Sequence, residues 1–519
     1  MSVRIPPTLE PHYDVIVIGG GITGAGVARE AAAAGLKTLL VEQRDYAWGT
    51  SSRSSKMVHG GLRYLATGHV SLTRQAVAER QRMLAQAPGL VDRMRYVLPH
   101  YRKEFPGPRL FGALLWLYDR FAGEHNRQTI APIEMLQWLP GLDTRRLRSA
   151  SVFTDAVTDD ARLVLRVLAE ARALGAITRN YVRASKVVKP DDAPWTVTLE
   201  EQRGSGRART ITTSLVVNAT GAWADRLWRT GHGREHIRPL RGSHILLPFE
   251  RLPVSVCLTL AHPRDRRPVF VFPWLGRTVV GTTDLDHTAD LDQEPRISGE
   301  EVAYLLDVVD KAFPGTTLSL ADVVSSWAGV RPVVTRKAGR APSAESREHV
   351  IWEEGGLVSV AGGKLTTFRP IAREVLLVGA PRLKQLTLQE EDAPLFRPAP
   401  ALQRPGTVSR LTWQRMKGQY GPVLGDVLVS GALEAIPGSD YLWCELYWCA
   451  RHESVVHLDD LLLRRTRLGL ILPDGAAGLL PALRQKLAPV MNWSQQRWEA
   501  EIERYLVLWR DAYALPADA

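Results

Sequence analysis

Short apolar runs alternate with amphipathic stretches along most of the chain, the pattern of an α/β protein. Tyr13–Ile18 reads as a buried strand. After it, Ile22, Ala25, Val27, Ala28, Ala31 and Ala32 form an apolar helical face compact enough to lie close on a sheet. Gly35 ends that helix, and a second apolar run closes at Glu42. Asp45 to Gly61 is loop-like and rich in serine and glycine, and an amphipathic helix is predicted from Leu72 to Ala87, stopping at Pro88-Gly89. Thr158-Asp159-Asp160 caps a helix over 161–174. Strand signals near 183–189, 195–199 and 209–213 predict a small antiparallel meander, and Leu215–Val217 a further buried strand. A sheet-rich region runs from about 237 to 283, with strands ending at Leu247, Phe272 and Gly281. A helix near 299–312 follows, then a strand at 358–361 and a helix beginning near Leu365. Residues 388–406 are proline-rich and read as a linker; from about 407 onward the pattern is helical, with recurring Leu, Trp and Arg.

The turns between these elements carry the first chemistry. The opening strand runs straight into Gly19, Gly21 and Gly24, and Glu42 stands at the end of the next strand. That is the dinucleotide fingerprint in context: glycines for the turn, the pyrophosphate approach and the helix packing, with an acid for the ribose hydroxyls. Alone it does not separate FAD from NAD. Two further glycine turns follow apolar strands, at Thr220-Gly221 and Gly362-Gly363. A long cofactor needs contacts along its whole length, so the three turns together favour a flavoprotein.

Composition narrows the class. The 519 residues are enough for two or three domains, and the net charge of +11 points to anionic partners: lipid headgroups, phosphorylated substrates or nucleic acid. The positive charge is spread along the chain and no nucleic-acid-binding signature is present, so nucleic acid is disfavoured. Three cysteines, Cys257, Cys444 and Cys449, form no disulfide framework, which fits a reducing, cytoplasmic compartment. No signal-peptide pattern precedes the first strand, and no apolar run is long enough to span a bilayer. The longest run, Leu110–Tyr118, is flanked by Arg102, Lys103, Arg109 and Arg120, with Phe105, Trp116 and Phe121 close by. Two readings stand for it: a surface that rests in a membrane interface, or a cap helix packed into the protein.

The motifs resemble the FAD-dependent, quinone-linked glycerol-3-phosphate dehydrogenases. TSSRSSKMVHGGLRYL (50–65), AVTDDARLVLRV (156–167), NATGA (218–222) and RGSHILLP (241–248) carry the resemblance. So do FVFPWLGRTVVGTTDLD (270–286), GVRP (329–332) and AGGKLTTFR (361–369). It spans the first 390 residues in order and continues less sharply through 445–468. The resemblance implies an FAD-binding domain of the glutathione-reductase type interleaved with a sheet-based substrate domain over 13–387. The cap lies mainly at about 90–150 and 235–345, preceded by an N-terminal arm (1–12) and followed by the linker and an all-helical domain over 407–519. It further implies oxidation of sn-glycerol 3-phosphate to dihydroxyacetone phosphate by hydride transfer to FAD, with membrane quinone as acceptor. Cytoplasmic location on the inner face of the cell membrane, contact with an anionic lipid surface, and homodimer formation belong to the same expectation.

Residue roles follow motif by motif. Gly19, Gly21, Gly24, Glu42, Ser51, Ser52, Thr220, Gly221, Gly362, Gly363, Leu365 and Thr366 are assigned to FAD. Arg331, Arg347 and Lys364 match cationic positions of the family's pocket and are assigned to the phosphate and hydroxyl groups, guanidinium being well matched to phosphate oxygens. Arg331 and Lys364 also stand with His59 and His244 as the catalytic set; the two histidines are the candidate bases, because imidazole titrates near neutral pH. Arg63, Tyr64 and Thr283 are further candidates for substrate contact. Arg53 departs from the small residue expected there, and either adds charge at the pocket mouth or projects into solvent. Three alternatives remain: a glycerol-3-phosphate oxidase using O2, an amine or amino-acid oxidase, and a non-catalytic flavin- or lipid-binding protein. The second predicts one carboxylate-binding arginine, which the several cations here disfavour, and the intact pocket motifs weigh against the third.

Overall fold

The computed structural model describes residues 9–62, 65, 68–102, 104–191, 193–203, 206–227, 237–334 and 348–519. Two sheets organise them. In the first, the strands run in the order Val350–Glu354, Leu357–Ala361, Ala208–Asn218, His12–Ile18, Thr38–Glu42 and Ile177–Asn180. Pairing is parallel from Leu357–Ala361 through to Ile177–Asn180, with Val350–Glu354 antiparallel at the edge. Parallel strands need crossovers, and Ile22–Ala33 supplies the first; with Asp160–Ala173 and Phe368–Gly379 it shares one core with the inner strands. Helix Asp160–Ala173 starts as predicted, with the Asp159 side chain accepting the backbone N–H of Arg162 at 3.1 Å.

The predicted meander is present, with one difference. The strand signals at 209–213 and 215–217 belong to a single eleven-residue strand, Ala208–Asn218. Its first half pairs antiparallel with Trp195–Glu201, and its second half runs parallel to His12–Ile18. Thr212, Thr213 and Ser214 separate the apolar groups, but the two β-branched threonines favour strand, so the chain continues through them.

The second sheet contains Val91–Tyr101, Leu147–Thr158, Ile237–Pro248, Cys257–Ala261, Pro268–Trp274, Arg277–Gly281 and Ser325–Val334. Helix Gly299–Ala312 packs on one face of it through Val302, Leu305, Val308 and Val309. The C-terminal helices close the other side. Their Leu446, Leu462, Trp498 and Tyr505 join Tyr96, Phe153, Trp274 and Trp327 in one apolar cluster. Cys444 and Cys449 lie buried within it. Helix Pro108–Ala122 packs into the protein along one face and leaves the other exposed. Phe111, Leu115 and Tyr118 pack inward, while Leu110 and Trp116 are half exposed on the outer face.

Candidate functional site

A cavity of about 1100 Å³ is lined from both sheets. That is at the upper end for small-molecule sites, enough for a long cofactor together with a substrate. Its floor is the first glycine turn. Gly19 has φ +115°, and a Cβ there would lie 2.4 Å from the Ala219 carbonyl oxygen; a Cβ on Gly24 would lie 1.9 Å from the carbonyl oxygen of Gly19. Only hydrogen fits at either position, so the strand, the helix start and the neighbouring strand end converge on one point. The carboxylate of Glu42 accepts the backbone N–H groups of Gly20 (2.7 Å) and Arg44 (2.9 Å). Burial pushes the Glu42 carboxyl above its ordinary range. Thr220, Gly221, Gly362, Gly363, Leu365 and Thr366 reach the same cavity from the other two turns.

The serine-rich loop lies against this floor. Ser51 lines the cavity, and its hydroxyl accepts the N–H of Ile22 at 2.9 Å, occupying one donor of the helix start. Ser52 is placed differently: it is buried, and its carbonyl accepts the Lys56 ammonium at 2.7 Å. Lys56 also donates to both oxygens of Asp160 at 2.9 Å, and the backbone N–H and hydroxyl of Ser54 converge on the same carboxylate. The ammonium lies 4.7 Å from the ring centre of Trp327 and 5.3 Å from that of Trp274. Burial lowers its pKa to about 8, with Asp160 opposing the shift. Arg467, from the C-terminal helices, completes the group by donating to Asp160 at 2.5 Å and Asp159 at 2.8 Å.

His244 stands behind this loop. Its Nε2 is 2.9 Å from the Ser55 hydroxyl, and its ring stacks on Trp327 at 4.7 Å. Burial, reinforced by the nearby charges of Arg331 and Lys56, holds its pKa well below the usual imidazole value, so the ring is neutral. Arg331 donates to Asp284 at 2.8 Å and to the Thr282 hydroxyl at 3.0 Å. Lys364 and His59 line the same cavity, and the His59 carbonyl accepts the Thr366 hydroxyl at 3.2 Å. Thr283 lines it too, but its hydroxyl donates to Glu301 (2.6 Å) and accepts the N–H of Ser243 (2.9 Å), which fixes the strand. Arg63, Tyr64 and Arg347 lie outside the described residues.

Arg53 lines the cavity and does not project into solvent. It is buried, paired with Glu294, and lies over the rings of Trp48 (5.1 Å) and Tyr513 (5.9 Å). Glu294 and Tyr513 supply the carboxylate and the aromatic face, and both are hundreds of residues away in sequence. The roles of Lys56, Asp160, Asp284 and Arg467 were missed. Asp284 lies within the 270–286 motif directly after Thr282-Thr283, and Lys56 and Asp160 within those of 50–65 and 156–167, which was the local signal available.

Comparison with known proteins agrees with this architecture. Residues 14–372 match the family model described as FAD dependent oxidoreductase, and residues 371–498 match that of the C-terminal domain of alpha-glycerophosphate oxidase. Glycerol-3-phosphate dehydrogenase 2 of Mycobacterium tuberculosis is 32% identical, over 95% of this chain and 88% of that protein. Glycerol-3-phosphate dehydrogenase of Synechocystis is 31% identical, over 97% of both. Among solved structures, the glycerol-3-phosphate dehydrogenase of Bacillus halodurans complexed with FAD superposes with a TM-score of 0.76 at 25% identity, over 97% of this chain and 95% of that one. The glycine floor, closed to any side chain, and the cavity volume fit a bound FAD. The chain therefore belongs to the FAD-dependent glycerol-3-phosphate dehydrogenase family, with FAD as its cofactor.

Proposed function

We propose that the protein oxidises sn-glycerol 3-phosphate to dihydroxyacetone phosphate and delivers the electrons to membrane quinone. The observation that carries this reading is the joining, in one cavity, of the glycine floor with Arg331, Lys364 and the neutral His244. Bound FAD supplies the two-electron acceptor. The chain supplies orientation, charge and a base. Arg331 and Lys364 hold the anionic substrate, and the planar guanidinium suits phosphate oxygens. His244 takes the proton of the C2 hydroxyl. Its depressed pKa keeps it unprotonated across the physiological range, at a cost in basicity, and its Nδ1 has no partner among the described residues. His59 supports the substrate from the serine-rich loop.

The acceptor assignment rests on the cavity's apolar end. Tyr96, Leu98, Pro106, Phe111, Leu114 and Phe153 line it beneath helix Pro108–Ala122. The outer face of that helix exposes Leu110 and Trp116 beside Arg109 and Arg120, with Phe105 80% exposed nearby. Such a face suits the interface of an anionic membrane, where quinone resides. Among the described residues no helix is long and apolar enough to cross a membrane.

The first test is anaerobic addition of sn-glycerol 3-phosphate to the purified yellow protein, with glycine and glycerol as controls. Bleaching of the flavin band by the phosphorylated alcohol alone is the expected outcome; a band that stays oxidised refutes the substrate. The bleached protein is then mixed with a short-chain quinone in anionic vesicles or with air. Faster recovery with quinone is expected, and faster recovery in air refutes that acceptor.

A further inference from the structure

Among the arginines that line the cavity, Arg267 is one that the sequence motifs did not single out. Arg267 lies at the turn between strands Cys257–Ala261 and Pro268–Trp274. Its main chain is fixed on both sides: its N–H donates to Asp265 at 3.1 Å, and its carbonyl accepts the N–H of His262 at 2.8 Å. Its side chain meets Asp284, with Nη2 2.8 Å from Oδ2 and Nη1 donating to the Asp284 carbonyl at 3.0 Å. The other carboxylate oxygen, Oδ1, is the one that accepts Arg331.

One buried carboxylate thus aligns two guanidinium groups. The Asp284 side chain is 3% exposed, whereas Arg267 and Arg331 are 24% and 23% exposed and line the cavity. A single negative charge between two positive ones leaves the trio with a net charge of +1. Each nitrogen of Arg267 bound to Asp284 carries a second hydrogen, because every Nη of a guanidinium bears two. A phosphate monoester near neutral pH carries between one and two negative charges on three strongly accepting oxygens. Two forks presented side by side match that anion in charge and donor geometry better than one fork does.

We propose that Arg267 is a second guanidinium of the phosphate subsite, and that Asp284 is the positioning residue that presents Arg267 and Arg331 together. This rests on the reading of the substrate as a phosphorylated alcohol. Asp284 does not touch the phosphate; a carboxylate would repel it. It sets the spacing of the two arginines and prevents either from turning into solvent. The neighbouring Arg266 pairs with Glu104 at 2.9 Å and takes no part.

The test uses the FAD-loaded enzyme and steady-state kinetics with sn-glycerol 3-phosphate, with inorganic phosphate as competitive inhibitor. Loss of a charged hydrogen bond predicts that Arg267→Met raises KM and the phosphate inhibition constant by about 10- to 100-fold, while kcat changes far less. Asp284→Asn should raise both constants as well, and Arg267→Lys should fall between Met and wild type, because it keeps the charge and loses the fork. If Arg267→Met fails to retain FAD, Arg267→Lys decides: constants above those of wild type support the assignment. Unchanged KM and phosphate inhibition in a flavin-loaded Arg267 variant overturn it, as does a fall in kcat alone. A wild-type enzyme that is not bleached by sn-glycerol 3-phosphate refutes the functional reading instead, so the two failures are distinguishable.

Discussion

The glycine floor and the charged layer linking the serine loop to the C-terminal helices are both buried, both polar and adjacent in space, yet they are built from opposite materials. The floor is main chain with side chains removed, and its tolerance is set by contacts such as the 1.9 Å from a Gly24 Cβ to the Gly19 carbonyl. The layer is almost all side chain. Asp45 accepts Arg464 at 2.5 Å, Arg465 at 2.7 Å and Asn180 at 2.9 Å. Arg464 also reaches Asp459 and Asp460 at 2.6 Å, and Arg467 reaches Asp159 and Asp160. A backbone site fails by steric exclusion, whereas a charge network fails when one partner goes and the other is left buried. The difference teaches that binding specificity and domain attachment occupy neighbouring ground but are damaged by different substitutions.

Three measurements sharpen or break that contrast. The largest effect is expected from Gly24→Val, which places a branched side chain against the carbonyl of Gly19. The purified protein should be colourless; a normal flavin-to-protein absorbance ratio would remove the steric argument. Next is Asp45→Ala, which strands Arg464 and Arg465 in the interior and should destabilise the holoprotein by about 3–5 kcal/mol in urea unfolding. The substrate KM of the surviving folded fraction should stay near wild type. A raised KM with unchanged stability would mean the layer shapes the cavity and not the attachment.

The smallest effect is a separation on acidification. Burial raises Glu42, so its ionised form costs stability near neutrality and it takes up a proton above the usual carboxylate range. Burial also works to raise Asp45, Asp159 and Glu453, but the arginines beside them outweigh it and hold these groups below that range. Their contribution is present above the unfolded pKa and is lost only as pH falls through the lower folded values. Asp460, raised to about 6 by burial and by Asp45 and Asp459, ionises at a cost, and its protonation on the way down relieves strain in the layer. Flavin fluorescence should therefore report FAD release at a higher pH than the loss of near-ultraviolet circular dichroism. Coincident midpoints would show that cradle and layer fail as one unit.

What could be read from the sequence divides along the same line. The fingerprint turn, the Asp159 cap and the three glycine turns are local, and a few consecutive residues state their own geometry. The α/β alternation followed from the same local signals. Asp284 between Arg267 and Arg331 was not legible, since the three residues become neighbours only when two hairpins and a later strand assemble. The two readings of Arg53 could not be separated for the same reason: a buried arginine is explained by its partners, and Glu294 and Tyr513 are fixed by the tertiary fold. The tail carried no catalytic motif because its contribution is Arg464, Arg465 and Arg467, three cations on a short segment that reads as ordinary helix surface.

The attachment of Asp45 to Arg464 has a consequence for how the protein is made. The two residues are 419 positions apart, so at typical translation rates Asp45 leaves the ribosome roughly 20 to 80 seconds before its counterion exists. Throughout that interval the nucleotide fingerprint is complete in sequence, but Asp45, just beyond it, has at most the neutral Asn180 amide as a partner for burial. The cofactor cradle is encoded first and finished last.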